Sequence, residues 1–177
     1  MQPRPSTLAE VADRASSLEH FGRELADWLH TVRGLGSRPA LGQTIAERPR
    51  LLARKFPEGA LADATLAAYA DYLAERIRIA PPRWCFEPER ISPDPWFGVD
   101  GPRSRRFALR DSPPAFKRRN LFTPNPDLPV RLRRGRPPVS LETKRANNRA
   151  RQRRFQLRRK ALLSDLLQRA IPNDEST

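Results

Sequence analysis

Leu18-Glu19-His20-Phe21-Gly22-Arg23-Glu24-Leu25-Ala26-Asp27-Trp28-Leu29-His30-Thr31-Val32 is the stretch that sets the fold class. Leu18, Phe21, Leu25, Trp28, Leu29 and Val32 recur at steps of three and four, with one adjacent pair. That spacing draws a single apolar stripe down an α-helix, and such a stripe needs a core to face. The preceding residues supply a start, with Ser16 as N-cap and Glu19 as its N3 partner in a capping box. Gly34 and Gly36 are expected to stop the helix by taking positive φ. A shorter helix is expected from about Pro39 to Arg48, where Pro49 interrupts it, followed by the apolar pair Leu51 and Leu52. Pro57-Glu58-Gly59 reads as a turn. The next helix carries Leu66, Tyr69, Leu73 and Ile77 on one face and should end at Pro81-Pro82, because proline disfavours helix in the residue before it. The chain is therefore expected to be mainly α, with residues 1–80 forming a small helical domain.

Residues 81–130 change character. They hold 11 of the 19 prolines, so irregular chain is expected. Yet Trp84, Phe86, Trp96, Phe97, Phe107, Phe116 and Phe122 are too apolar for a free linker. The expectation is a strap over residues 81–122 that lies extended on the helices with its aromatics as anchors. The alternative is a partner groove or base-stacking surface, for which Trp96, Phe97, Phe116 and Phe122 are the candidates. Ala115 to Asn120 should form a short helical turn. Its Lys117, Arg118 and Arg119 form a second basic patch, either plain solvated charge or a phosphate contact.

Charge is concentrated at the other end. The net charge is +14, and residues 131–160 carry 13 Lys+Arg against 1 acidic residue, a net of +12. Such a block attracts polyanions, since each neutralised phosphate releases condensed counterions. Residues 123–139 read as a basic, Pro-rich linker and 140–170 as one long helix, with Ser140 as N-cap and Glu142 favoured by the helix dipole in the first turn. Pro172 closes the helix, and 171–177 read as a free tail. Between Lys144 and Lys160, 9 of 17 residues are basic and none is acidic. Like charges at i,i+4 repel, so this helix should be marginal alone and favoured once phosphates neutralise it.

Two local patterns sharpen the nucleic-acid reading. Arg133-Arg134-Gly135-Arg136-Pro137-Pro138 contains an Arg-Gly-Arg-Pro core that resembles the AT-hook. The resemblance implies an extended segment in the minor groove of A·T-rich DNA. Gly135 would approach the groove floor, and the flanking arginines would lie along a narrow groove of enhanced negative potential. The segment Asn148-Arg149-Ala150-Arg151-Gln152-Arg153-Arg154-Phe155 is similar to the basic region of bZIP proteins. That resemblance implies that Asn148 and Gln152 face base edges while Lys144, Arg145, Arg149, Arg153, Arg154, Arg158, Arg159 and Lys160 hold phosphates. Arg151 stands where that family has a small residue and Gln156 where it has a basic one. Leu162, Leu163, Leu166, Leu167 and Ile171 give only two turns of a zipper, so we read the match as shared composition. Those leucines remain candidates for pairing with a second copy or docking on the N-terminal domain.

Catalysis has little to build on. His20 and His30 lie ten residues apart, with no Cys, Asp or Glu in metal-ligand spacing beside them. There is no Gly-rich phosphate loop or nucleophile elbow, and no motif that calls for a cofactor. Cys85, between Trp84 and Phe86, reads as a buried apolar residue. A single cysteine, an N-terminus without a signal-peptide core and no long apolar run point to a soluble cytoplasmic setting.

A broader resemblance covers residues 18–122. His20, Phe21, Leu25, Trp28 and Leu29, the Pro95-Trp96-Phe97 step, and the block Ser112-Pro113-Pro114-Ala115-Phe116-Lys117-Arg118-Arg119-Asn120-Leu121-Phe122 are similar to a group of small bacterial antitoxin-like proteins. These are associated with nucleotidyltransferase-like toxins, and the resemblance implies a toxin-like protein partner. Together the patterns lead to a DNA-binding regulatory or antitoxin-like protein rather than an enzyme. The alternatives are an RNA- or ribosome-associated basic protein and a structural or interaction protein of a mobile element. DNA is favoured over RNA because the Arg-Gly-Arg-Pro core suits a DNA minor groove better than A-form RNA.

Overall fold

The computed structural model describes residues 3–128, 130 and 141–170, with side chains in the last stretch for 142, 143 and 145–163. It is mainly helical and divides into two units, Met1–Arg133 and Arg134–Thr177. In the first unit α1 spans Leu8–Arg14, α2 Leu18–Gly34, α3 Arg38–Ala46, α4 Gly59–Ile77, α5 Pro102–Asp111 and α6 Pro114–Lys117. Short 3-10 turns at Leu52–Arg54, Arg83–Phe86 and Pro88–Arg90 punctuate it, and β1 Trp96–Phe97 pairs with β2 Leu121–Phe122. The second unit contains α7, Leu141–Ala170.

Helix α2 buries Phe21, Leu25, Trp28, Leu29 and Val32, while Leu18 at the head of the stripe is exposed. Its start differs from the expected one by a residue. Ser17 is the N-cap, its hydroxyl accepting from His20 N, and Ser16 instead contacts the His20 ring. Its end also differs. Neither Gly34 nor Gly36 takes positive φ, and the chain leaves the helix through an extended Leu35 whose N–H bonds Val32 O. Before it lies α1, which the apolar spacing did not announce. The Thr7 hydroxyl accepts from Glu10 N, and the Glu10 carboxylate accepts from the Ser6 N–H at 2.8 Å. That Ser6 N–H, together with the Ser6 hydroxyl donating to the same carboxylate at 2.7 Å, holds the Glu10 carboxyl below its ordinary range. Leu8, Val11 and Ala12 of α1 enter the same core as α2.

Helix α4 is the centre of the first unit. Of its 19 residues, 13 are buried, so burial runs nearly all round instead of along the single face of Leu66, Tyr69, Leu73 and Ile77. Alanines at 62, 64, 67, 68, 70 and 74 let neighbouring elements approach closely from several sides. Entry needs a glycine: a Cβ at Gly59 would lie 2.0 Å from the Leu52 carbonyl oxygen. The helix ends before Pro81-Pro82. Arg78 turns left-handed at φ 59, and the Ile79 N–H closes back on Ala74 O.

Residues 81–122 pack on this core mainly as short turns and helices. Of the seven aromatics, only Trp84 and Phe116 are buried. Phe116 extends an edge-to-face series that runs from Trp28 to Tyr69 and on to Phe116, with centroids 6.2 and 5.2 Å apart. Phe86, Trp96 and Phe107 are exposed, and Phe97 stacks on Phe122 at 5.0 Å. The deepest contacts of the segment are two arginines. Arg90, fully buried, donates to Asp63 at 3.0 Å and to the Pro49 carbonyl, and its guanidinium covers the Trp84 ring. Arg119, equally withdrawn, donates to Asp71 at 2.9 Å, to Ala115 O and to Cys85 O. Both aspartates belong to α4. Asp63 also accepts from Leu52 N and Ala53 N, both at 2.9 Å, and so caps the turn at 52–54. The parallel pairing of β1 with β2 requires a crossover, which α5 and α6 provide. Leu128 and Val130 pack against the core, so the start of the expected linker belongs to this unit.

Removing one partner of a buried ion pair strands the other, which typically costs about 3–5 kcal/mol. Asp71→Ala should therefore destabilise the protein by an amount in that range in urea titration. Arg118→Ala, whose half-exposed side chain shares the same carboxylate, should cost less than about 1 kcal/mol. Equal losses for the two variants would show that Arg119 does not depend on Asp71.

Candidate nucleic-acid interface

The second unit is organised by α7. At about 1.5 Å per residue, its cationic stretch from Lys144 to Lys160 is roughly 24 Å long. Every described side chain from Arg145 to Leu163 is exposed, Phe155, Leu157, Leu162 and Leu163 among them. Helical spacing at i,i+4 puts Asn148 and Gln152 on one face, with Phe155 beside them. Arg149 and Arg153 share a neighbouring face in the same way, while Arg154 and Arg158 form a further pair. Basic groups thus flank the Asn148–Gln152 face on both sides, an arrangement able to contact phosphates while amide groups face outward. No ion pair joins these arginines to a carboxylate among the described residues. Arg133 and the Arg-Gly-Arg-Pro core Arg134, Gly135, Arg136 and Pro137 lie outside the described residues, as do the side chains of Lys144, Leu166 and Leu167.

The remaining candidates are in the first unit, and the structure separates them. Lys117, Arg118 and Arg119 do not form one open patch. Lys117 Nζ donates to Arg110 O at 2.7 Å, and Arg118 bonds Asp71 at 2.7 Å with its side chain half exposed. Arg119 is interior, and its guanidinium already serves Asp71 and two carbonyls. A phosphate could reach it only by displacing those partners. Phe116 is likewise core, touching Tyr69 and Tyr72. Trp96, Phe97 and Phe122 remain reachable. Trp96 is exposed beside a groove of about 250 Å³ whose walls include Pro57, Leu61, Pro93 and Pro95.

Sequence reasoning overlooked one basic element, α5. Its arginines Arg103, Arg105, Arg106 and Arg110 are all exposed, and only Ala108 is buried. A signal was present in Gly101-Pro102, a glycine followed by proline at the first helical position, ahead of arginines spaced three and four apart.

Cys85 is buried, and burial pushes its thiol up to about 12 despite the nearby Arg119. Among the described residues there is no cluster of His, Cys, Asp and Glu able to hold a metal ion. No described helix is long and apolar enough to cross a membrane.

Family models, curated proteins and solved structures gave no match to the chain.

Because the thiolate is the reactive form, Cys85 should resist a thiol reagent in the native protein at mildly alkaline pH and react promptly in denaturant. Fast stoichiometric labelling of the native chain would show an open path to the sulfur.

Proposed function

We propose that the protein is a DNA-binding regulatory or antitoxin-like protein that holds nucleic acid through its basic C-terminal arm and a protein partner through its N-terminal part. The observation that carries this reading is the charge distribution: 30 residues, 131–160, hold a net +12 of the chain's +14. An excess so confined has no counterpart inside the arm and is matched by a polyanion. The layout that goes with it is a helical N-terminal domain and its Pro/aromatic-rich segment, then a linker, then the basic helix. In that layout Arg149, Arg153, Arg154, Arg158 and Arg159 neutralise phosphates, and Asn148 and Gln152 face base edges. The Arg134-Gly135-Arg136-Pro137 core favours DNA, since its reach suits a narrow minor groove. A toxin-like partner is supported by the resemblance over residues 18–122, with Trp96, Phe97 and Phe122 as its accessible aromatics. Exposed Leu162 and Leu163 support self-association as a further contact of the arm.

The test is competition between duplex DNA, structured RNA and heparin over a range of salt. If about six phosphates are engaged, log K for duplex should fall against log salt with a slope near −5. A·T-rich duplexes should bind better than G·C-rich ones, because the guanine amino group obstructs the groove floor, and Gly135→Glu should remove that preference. Preference for structured RNA would move the function to an RNA-associated protein. A slope flatter than about −2 would show that the arm does not lie on the backbone.

A further inference from the structure

Helix α5 gathers four exposed arginines, Arg103, Arg105, Arg106 and Arg110, on one short element of the first unit. Several arginines of that unit are drawn to carboxylates, Arg48 to Glu87, Arg90 to Asp63, Arg119 to Asp71 and Arg14 to Glu10 and Glu24, whereas others, Arg23, Arg38 and Arg83 among them, stand singly without an ion pair among the described residues. On α5, Arg103 and Arg106 have no carboxylate partner among the described residues. Arg110 meets only its neighbour Asp111, at 2.7 Å. Arg103, Arg106 and Arg110 follow one another at i, i+3 and i+7. They therefore fall within roughly 60° around the helix axis, along about 10 Å of its length, on the side opposite buried Ala108. Three like charges in one row repel one another, and an isolated helix would not choose that arrangement.

The row is also held in place. Gly101 enters the helix at φ 81 and ψ 149, a region essentially reserved for glycine. Ala108 packs inward, the Ser112 hydroxyl donates to Ala108 O at 2.6 Å, and Lys117 Nζ secures the Arg110 carbonyl at 2.7 Å. Beside the row, the Arg105 guanidinium lies over the Phe97 ring and that of Arg110 over Phe107, each 5.2 Å from the centroid. These ring faces meet guanidinium groups, so the surface turned outward is cationic before it is aromatic.

We propose that the outer face of α5 is a second nucleic-acid contact, in which Arg103, Arg106 and Arg110 bind successive phosphates of a DNA backbone. The proposal rests on the reading that the chain binds DNA, but it assigns to the first unit a contact that reading gives to the arm alone. Charge complementarity favours a phosphate backbone over an acidic protein. The row offers two guanidiniums without a carboxylate, Arg103 and Arg106, continued by Arg110, which shares its charge with exposed Asp111, and guanidiniums suit bidentate phosphate contact.

The test uses the full-length chain and a short labelled duplex, titrated over a range of salt. Arg103→Gln/Arg106→Gln should weaken binding several-fold and flatten the log K against log salt slope by about two. Arg103→Lys/Arg106→Lys should keep the slope, which a purely structural role for the arginines would not require. Arg149→Ala/Arg153→Ala/Arg154→Ala, in parallel, reports on the arm. Loss of affinity with the arm variant but not the α5 variant overturns the proposal and leaves the arm reading intact. Loss with the α5 variant alone overturns the arm reading and keeps α5. No duplex binding by the unmodified chain overturns both. If poly-L-glutamate binds through Arg103 and Arg106 while duplex affinity is indifferent to them, the face serves an acidic protein and the proposal fails. Both arginines are exposed, so thermal unfolding of the Gln variant should match that of the unmodified chain. If it does not, the Lys variant set against Arg103→Ala/Arg106→Ala makes the same comparison.

Discussion

A buried guanidinium must have a carboxylate, and the first unit is organised by meeting that requirement twice on one helix. Asp63 and Asp71 lie eight residues apart on α4, each within a sleeve of alanines. Asp63 receives Arg90 from 27 residues downstream together with the amides of Leu52 and Ala53, and so gathers three separate pieces of chain. Asp71 receives Arg119 from 48 residues away, and Arg119 in turn fastens the carbonyls of Ala115 and Cys85. Burial pushes the Asp63 carboxyl up and Arg90 down; the two amides oppose the first shift, and the attraction between the two charges opposes both. Such pairs add little net stability compared with an apolar core, but they tolerate few alternative registers. A segment with 11 prolines cannot use ladders to fix its path, and these two bonded sites supply the positions that ladders would otherwise give.

That arrangement explains why some of the fold was legible in the sequence and some was not. The stripe of α2 was legible because its period is local: each apolar residue implies the next within one turn. Helix α4 was legible in position but not in burial, because alanine marks close packing only once the neighbours are known. Helix α1 has just seven residues, and its clearest sign was the Thr7-to-Glu10 cap rather than any stripe. Arg90 and Arg119 could not be read at all, since what makes an arginine interior is an aspartate tens of residues away. Arg119 therefore looked like the third member of a surface run, whereas Phe116 is the anchor that the apolar character of the strap led one to expect, and its alternative as a partner contact is closed by burial. The block from Ser112 to Phe122 is accounted for almost residue by residue as a clasp. Ser112 closes α5, Lys117 holds its Arg110 carbonyl, Arg118 and Arg119 meet Asp71, Asn120 turns at φ 58 and bonds Ser92 O, and Leu121 and Phe122 form β2.

For the candidate site, composition revealed the arm because thirteen basic residues in thirty need no structure to be noticed. The same measure hid α5, whose four arginines sit in a segment with only a modest net charge. What distinguishes them is placement on one exposed helix face, where Arg103 and Arg106 have no carboxylate partner among the described residues. Net charge over a window counts acids such as Glu87 and Asp127 as if they answered those arginines, whereas each holds another, Arg48 and Arg33.

The two cationic surfaces also differ in what it takes to present them. The arginines of α7 repel one another along a helix with no acidic residue from 144 to 160, so helix formation there and neutralisation by phosphate favour each other. Binding to such an element bears part of the ordering cost. On α5 the repulsion is already overcome by Gly101, by the buried Ala108 and by the two bonds from Ser112 and Lys117. A preformed cationic row loses less freedom when it meets an anion, and its contribution comes mainly from charge at fixed positions. The arm is therefore suited to supplying most of the electrostatic attraction. The α5 row is fixed relative to the core of its own unit, so in the proposed complex it is suited to setting how that unit lies against the polyanion.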